Sequence, residues 1–252
     1  TGLRPQPFAA GRHRCAFRAR VLHVGFGGQE LGDALVDVVL GEVDPGGRMP
    51  TTIPARYEHA PAYLNYPGEN SVVRYGEGLH IGHRWFDARH IAPAVPFGHG
   101  LSYAAFAWSA PHVVSEAPTD VAEPIVVGVE VTNTSDRAGV EVLQVYVEPP
   151  PSVLHRPVRE LKGFAKLHLD AGETATALVA LDVRSFAYFD PGDQVFEALL
   201  AAMPVPAEAG RRHTEPGWYV EPGVYRIVVA KSAADRHDHA DITLVGPEHR
   251  VG

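Results

Sequence analysis

The second half of the chain alternates. In IVVGVEV, Ile125, Val127, Val129 and Val131 fall on one side of an extended backbone, and in EVLQVYV the residues Leu143, Val145 and Val147 do the same. TATALVAL aligns Ala175, Ala177, Val179 and Leu181, and YRIVVA aligns Tyr225, Ile227 and Val229. Successive side chains of a strand point to opposite faces, so each run predicts a strand with one buried side. The turn-forming stretches NTSDRAG, PPPS, LDAGE and EPG separate them. Short alternating strands joined by turns predict a mainly β protein, an antiparallel β-sandwich.

The first half follows other rhythms. Leu31, Ala34, Leu35, Val38 and Val39 recur at three-and-four spacing, which predicts a helix ended by Gly41 and barred from continuing by Pro45. Residues 50–103 are rich in proline, glycine and aromatics without a sustained period; such a stretch needs another surface to lie on. DQVFEALLAAM returns to helical spacing through Phe196, Leu199, Leu200 and Met203, and residues 191–217 are expected to be an insertion between two sandwich strands. Residues 1–20 carry Arg4, Arg12, Arg14, Arg18 and Arg20 with no acidic residue and neither period. They are expected to be a disordered basic segment foreign to the fold.

Composition narrows the function. A formal net charge of -8 supplies no basic field for nucleic acid, and no apolar run is long enough to cross a bilayer. Cys15 is the only cysteine, so neither an intrachain disulfide nor a cysteine-based zinc site is expected. These counts fit a soluble protein, with the cytoplasm favoured over secretion, without fixing the compartment. Three candidate chemistries remain. GHG at Gly98–Gly100 resembles a hydrolase oxyanion loop, but there is no G-x-S-x-G nucleophile elbow to serve it. His80, His83, His90 and His99, and separately His237 with His239, lack a third ligand at a definite spacing for zinc. Glu69, Glu77 and Asp87 could furnish the paired carboxylates of glycoside cleavage, but spacing alone does not choose among them.

Longer stretches carry a resemblance. GGQELGDALVDVVLGEVDPGGRMPTTIP is similar to the end of the second, α/β domain of glycoside hydrolase family 3, the β-glucosidase family. YPGENSVVRYGEGLHIGHRWFD and PAVPFGHGLSYAAFAWS resemble the segment that leaves that domain. VTNTSDRAGVEVLQVYVEPPPSVLHRPVRELKGFAKLHLDAGET, SFAYFD and WYVEPGVYRIVVAKS resemble its fibronectin type III-like (immunoglobulin-like) domain. The resemblance implies a remnant of the α/β domain at 21–60, an interdomain docking segment at 61–108 and a fibronectin type III-like domain at 109–246. In VPFGHGLSY, Pro96 and the glycines would set the junction, with Phe97, Leu101, Tyr103 and Phe106 as anchors.

Family members carry an Asp nucleophile on a barrel and a Glu acid/base on the α/β domain, both upstream of the helix at 31–40. No position here matches either motif, so no catalytic, cofactor-binding or metal residue is assigned and no cofactor is expected. The expected function is the carboxyl-terminal, non-catalytic and structural portion of a β-glucosidase-type hydrolase, with a stand-alone module binding a protein or glycan as the alternative. The expected partners are the catalytic domains of the same enzyme, which Trp85 and Tyr63 would approach, or a second copy through the exposed docking face. A β-linked sugar is substrate only for the complete enzyme; neither nucleic acid nor membrane is expected. Residues 1–60 are expected to pack poorly.

Overall fold

The computed structural model describes residues 21–114, 123–152, 155–192, 213, 215–245 and 248–251. The alternating runs become two facing sheets. β3 (Ile125–Asn133) is flanked by β6 (Thr174–Leu181) on one side and by the short β1 (Phe106–Trp108) and β2 (His112–Val113) on the other. The second sheet runs β10 (Arg236–Leu244), β9 (Gly223–Ala230), β4 (Gly139–Glu148), β5 (Glu160–Leu169), with every pairing antiparallel. β11 (His249–Val251), β8 (Gly217–Val220) and β7 (Tyr188–Asp190) form a third, small sheet.

Ile125, Val127, Val129 and Val131 pack in one core with Val179, Leu181, Leu143, Val145, Tyr225, Ile227 and Val229. These are the positions that the alternation selects. Tyr225, fully buried, donates its hydroxyl hydrogen to the Glu221 carbonyl four residues upstream at 2.9 Å. Such a bond pins the bend before a strand in sandwich domains. Burial also pushes the Tyr225 phenol pKa up, so it stays a neutral donor.

β4 departs from the expected one-sided pattern: it is buried without interruption from Gly139 to Val147. The cause is a second apolar cluster on the outer face of its sheet, where Tyr146, Val228, Ala230 and Ala233 meet Phe97 and Leu161. That face is covered by residues from the aperiodic first half.

The helix predicted from Leu31 is present as α1 (Leu31–Leu40), and Gly41 closes it at φ 82°, a left-handed conformation that glycine adopts without strain. Its apolar residues are not buried: Leu35, Val36, Val39 and Leu40 all face solvent. A second helix, α2 (His83–Arg89), lies in the stretch that shows no period. Seven residues make barely two turns, too few for periodicity to register. The helix expected from Phe196 to Met203 and the segment 1–20 lie outside the described residues, and β8 already begins at Gly217, the last residue of the expected insertion.

Candidate functional site

The covering stretch is fastened to the sandwich at two places. Near its start, Asp44 accepts hydrogen bonds from Val140 N at 2.8 Å, Tyr103 N at 2.6 Å and the Ser102 hydroxyl at 2.8 Å. Four residues on, Arg48 meets Glu141 of β4 at 2.7 Å, with side chains only 11% and 7% exposed. Arg137, in the turn before β4, donates to the Gly41 carbonyl at 2.6 Å and lies over the Tyr103 ring. The Tyr103 hydroxyl in turn donates to Val38 O at 2.7 Å. Residues 41–48 are therefore tied down, which corrects the expectation of poor packing for that part of residues 1–60. Apolar count alone misses it because the ties are polar. Residues 21–40 are largely exposed, and residues 1–20 lie outside the described residues.

The second fastening is centred on Arg159, at the start of β5. Its guanidinium forms a fork with both carboxylate oxygens of Asp87, at 2.8 and 2.7 Å, and also donates to the Ala233 carbonyl. It lies 5.4 Å from the Tyr146 ring centre, and its side chain is 2% exposed. Arginine suits such a place because its planar fork matches a carboxylate and its face stacks on an aromatic ring. Beside it, Gln144 donates its amide to the Gly98 and Lys231 carbonyls at 3.0 and 2.8 Å, and Ala233 N donates to Phe97 O at 2.9 Å. Gly98 has φ 78°, and a Cβ there would overlap the Gln144 amide.

GHG is thus a sharp turn pressed on β4. Phe97 packs in the outer cluster and Phe106 against the main core, as expected of anchors. Leu101 does not: it is largely exposed, so its part in the anchoring is corrected.

The other candidates separate in space. Asp87 is consumed by Arg159, Glu77 accepts from Asn65 at 3.4 Å, and Glu69 belongs to a tight turn through paired backbone bonds with Val72. A cleft of about 460 Å³, lined by Phe86, Ile91, Pro96, Phe97 and Ala233, has Asp87 as its one lining carboxylate. Bond cleavage between sugars needs a second one across the scissile bond. His83 stacks on Phe97, and His80 rests against His155. His90 ends α2, and the His99 carbonyl accepts a hydrogen bond from Met49 N. His237 contacts the Trp108 ring, and no three potential ligands gather around one point among the described residues. Trp85 donates its indole N–H to the His59 carbonyl at 3.0 Å, inside the covering stretch, while Tyr63 stands edge-on to Tyr57.

Much of the covering stretch remains apolar and open. Tyr57, Leu64, Tyr66, Val72, Tyr75 and Leu79 are exposed, as is the row along α1. By contrast, the exposed aromatics of the sandwich, Phe164 and Phe189, belong to different sheets, β5 and β7. The sequence reading did not single out Arg159, Arg48, Asp44 or Gln144. Their only local signal is a charged or amide residue beside a strand, which surface residues share.

Comparison with known proteins adds identity to this geometry. Residues 141–233 match the fibronectin type III-like domain and residues 16–103 match the glycosyl hydrolase family 3 C-terminal domain. Thermostable beta-glucosidase B of Acetivibrio thermocellus is 40% identical over 217 residues, 85% of this chain and 25% of that protein. A beta-glucosidase of Rhizobium radiobacter is 40% identical over 229 residues, 89% of this chain and 25% of that protein. The crystal structure of a Bifidobacterium adolescentis GH3 beta-glucosidase superposes with a TM-score of 0.69 at 38% identity, covering 84% of this chain and 28% of that one. Beta-glucosidase 3B from Thermotoga neapolitana in complex with glucose gives 0.73 at 31%, covering 89% and 28%. The chain therefore spans about a quarter of the length of the curated relatives it matches.

Proposed function

The chain belongs to glycosyl hydrolase family 3 as a carboxyl-terminal portion, and from that premise we propose that it braces the catalytic domains of a β-glucosidase-type enzyme. The observation that carries the reading is that the covering stretch combines buried ties to the sandwich with exposed apolar side chains. It is locked to the sandwich by the buried Arg48–Glu141 and Arg159–Asp87 pairs. It also leaves Tyr57, Leu64, Tyr66, Val72, Tyr75 and Leu79 exposed, as are the apolar residues of α1, and a partner domain would dock on them. Exposed apolar surface on this scale marks an interaction site.

On this reading the division is α1 with its flanks as the edge of the α/β domain, residues 61–108 as the docking segment and 109–246 as the sandwich. The chain supplies rigidity, and the carboxylates that cleave a β-linked sugar sit on the partner domains. Catalytic, cofactor and metal roles are assigned to none of its residues.

The test mixes the purified chain with the complementary three quarters of the Acetivibrio thermocellus enzyme and follows hydrolysis of an aryl β-glucoside. The chain alone is expected to be inactive, and the mixture more active than the complementary piece alone. Hydrolysis by the chain itself, at a rate that co-purifies with it, would overturn the structural role. Absence of any binding between the two pieces would remove the bracing role.

A further inference from the structure

Two histidines of the covering stretch pack through their rings, His83 on the sheet and His80 on the run into β5. His83, the first residue of α2, stacks on Phe97 with ring centres 5.2 Å apart and meets Tyr146 of β4 edge-on at 5.5 Å. His80 is 8% exposed and lies 4.5 Å from the ring of His155. Both ring nitrogens of His80 and Nε2 of His83 are buried without a hydrogen-bond partner. A neutral imidazole behaves there as an aromatic ring. An imidazolium has two N–H donors to satisfy and a charge to solvate, and an unpaired buried charge is costly.

The neighbours offer too little relief: Asp87 and the Arg159 backbone favour a charged His83 and the Arg84 backbone a charged His80, but burial outweighs them. Arg84 and Asp87 come from α2 itself; His155, Arg159, Glu160 and Lys162 come from the run into β5; Tyr146 and Glu148 come from β4; Arg236 comes from β10. Each carboxylate already has a cation: Asp87 pairs with Arg159, Glu160 with both Arg84 and Lys162, and Glu148 with Arg236. Tyr146 stays a neutral phenol because burial raises its pKa further. New charge on His80 and His83 would therefore add to Arg84 and Arg159.

We propose that residues 80–97 form an acid-released strap, in which protonation of His80 and His83 detaches α2 and Phe97 from the outer face of the β4–β5–β9 sheet while the sandwich core stays folded. Desolvation, aided for His80 by His155 and Arg84, holds both imidazoles below their ordinary value of 6.5. The detached strap takes up protons that the docked one refuses. Docking is thus at full strength above about pH 6.5 and weakens as the pH falls below it.

Amide hydrogen exchange of the full chain at about pH 7.5 and about pH 5, corrected for intrinsic rates, reads this directly. Peptides within 80–97 are expected to lose about tenfold in protection at the lower pH, with those of β3 and β6 unchanged. The variant His80→Phe/His83→Phe, which keeps aromatic rings in both places, is expected to lose the pH dependence. Equal protection at both pH values, or a loss shared by β3 and β6, would overturn the strap. So would a doubly substituted chain that responds as the original does. Should that variant not fold, proton NMR titration of the original chain decides: both rings titrating at 6.5 or above would refute the proposal, and depressed values would support it.

Discussion

At the scale of single residues, Arg159 illustrates how a buried charge holds two parts of a chain together. Removing one member of a buried pair strands the other, at about 3–5 kcal/mol. Arg159→Ala should therefore lower stability by about that amount in denaturant titration. Arg159→Met with Asp87→Leu should lose less than the two single substitutions summed, since neither charge is then left alone. Gly98→Ala combines a left-handed backbone with overlap on Gln144, so it should cost at least about 2 kcal/mol by the same measurement. Asp87 and Gly98 stand out in the sequence for other reasons, as a candidate carboxylate and part of a candidate loop, and Arg159 does not stand out at all. Arg159 reads as one charge in RPVRELKG, and the carboxylate it needs lies 72 residues earlier.

At the scale of elements, periodicity succeeds where one face meets one core. β6 has a single buried side and β3 nearly so, with Gly128 the one buried residue of its other face inside the alternating run. Their alternation names the main buried side correctly. β4 is buried on both sides, so its outer residues, Gln144 and Tyr146 among them, read as the polar face although neither is exposed. β5 is misleading in another way: Phe164 shares the solvent side with Lys166 and His168, while Ala165 and Leu167 turn inward. α1 has the pattern of a buried helix and is exposed. Val39→Lys and Leu40→Lys should accordingly shift the unfolding free energy of the chain by no more than about 0.5 kcal/mol in denaturant titration. The same substitutions should weaken its binding to the complementary domains of the Acetivibrio thermocellus enzyme, read by titration calorimetry. Unchanged binding would place the partner surface elsewhere than α1.

At the scale of the whole molecule, the sandwich holds the main core and the covering stretch is a second layer held by buried polar ties and the apolar cluster around Phe97. Limited proteolysis should therefore cut first near Tyr66–Tyr75, where apolar side chains are exposed, and spare the strands. Resistance there equal to that of β3 would contradict the layered description. The sequence by itself determined the sandwich, because alternation is a local property that one hydrophobic face imposes on every strand. It also determined the helix at 31–40, its glycine stop and, through resemblance, the family. Only the tertiary structure decided that GHG is a turn against Gln144, that Asp87 belongs to Arg159, that His80 and His83 are packed as rings, and that the apolar row of α1 is open. Those outcomes depend on which distant residue arrives opposite each side chain, and no local pattern encodes that encounter.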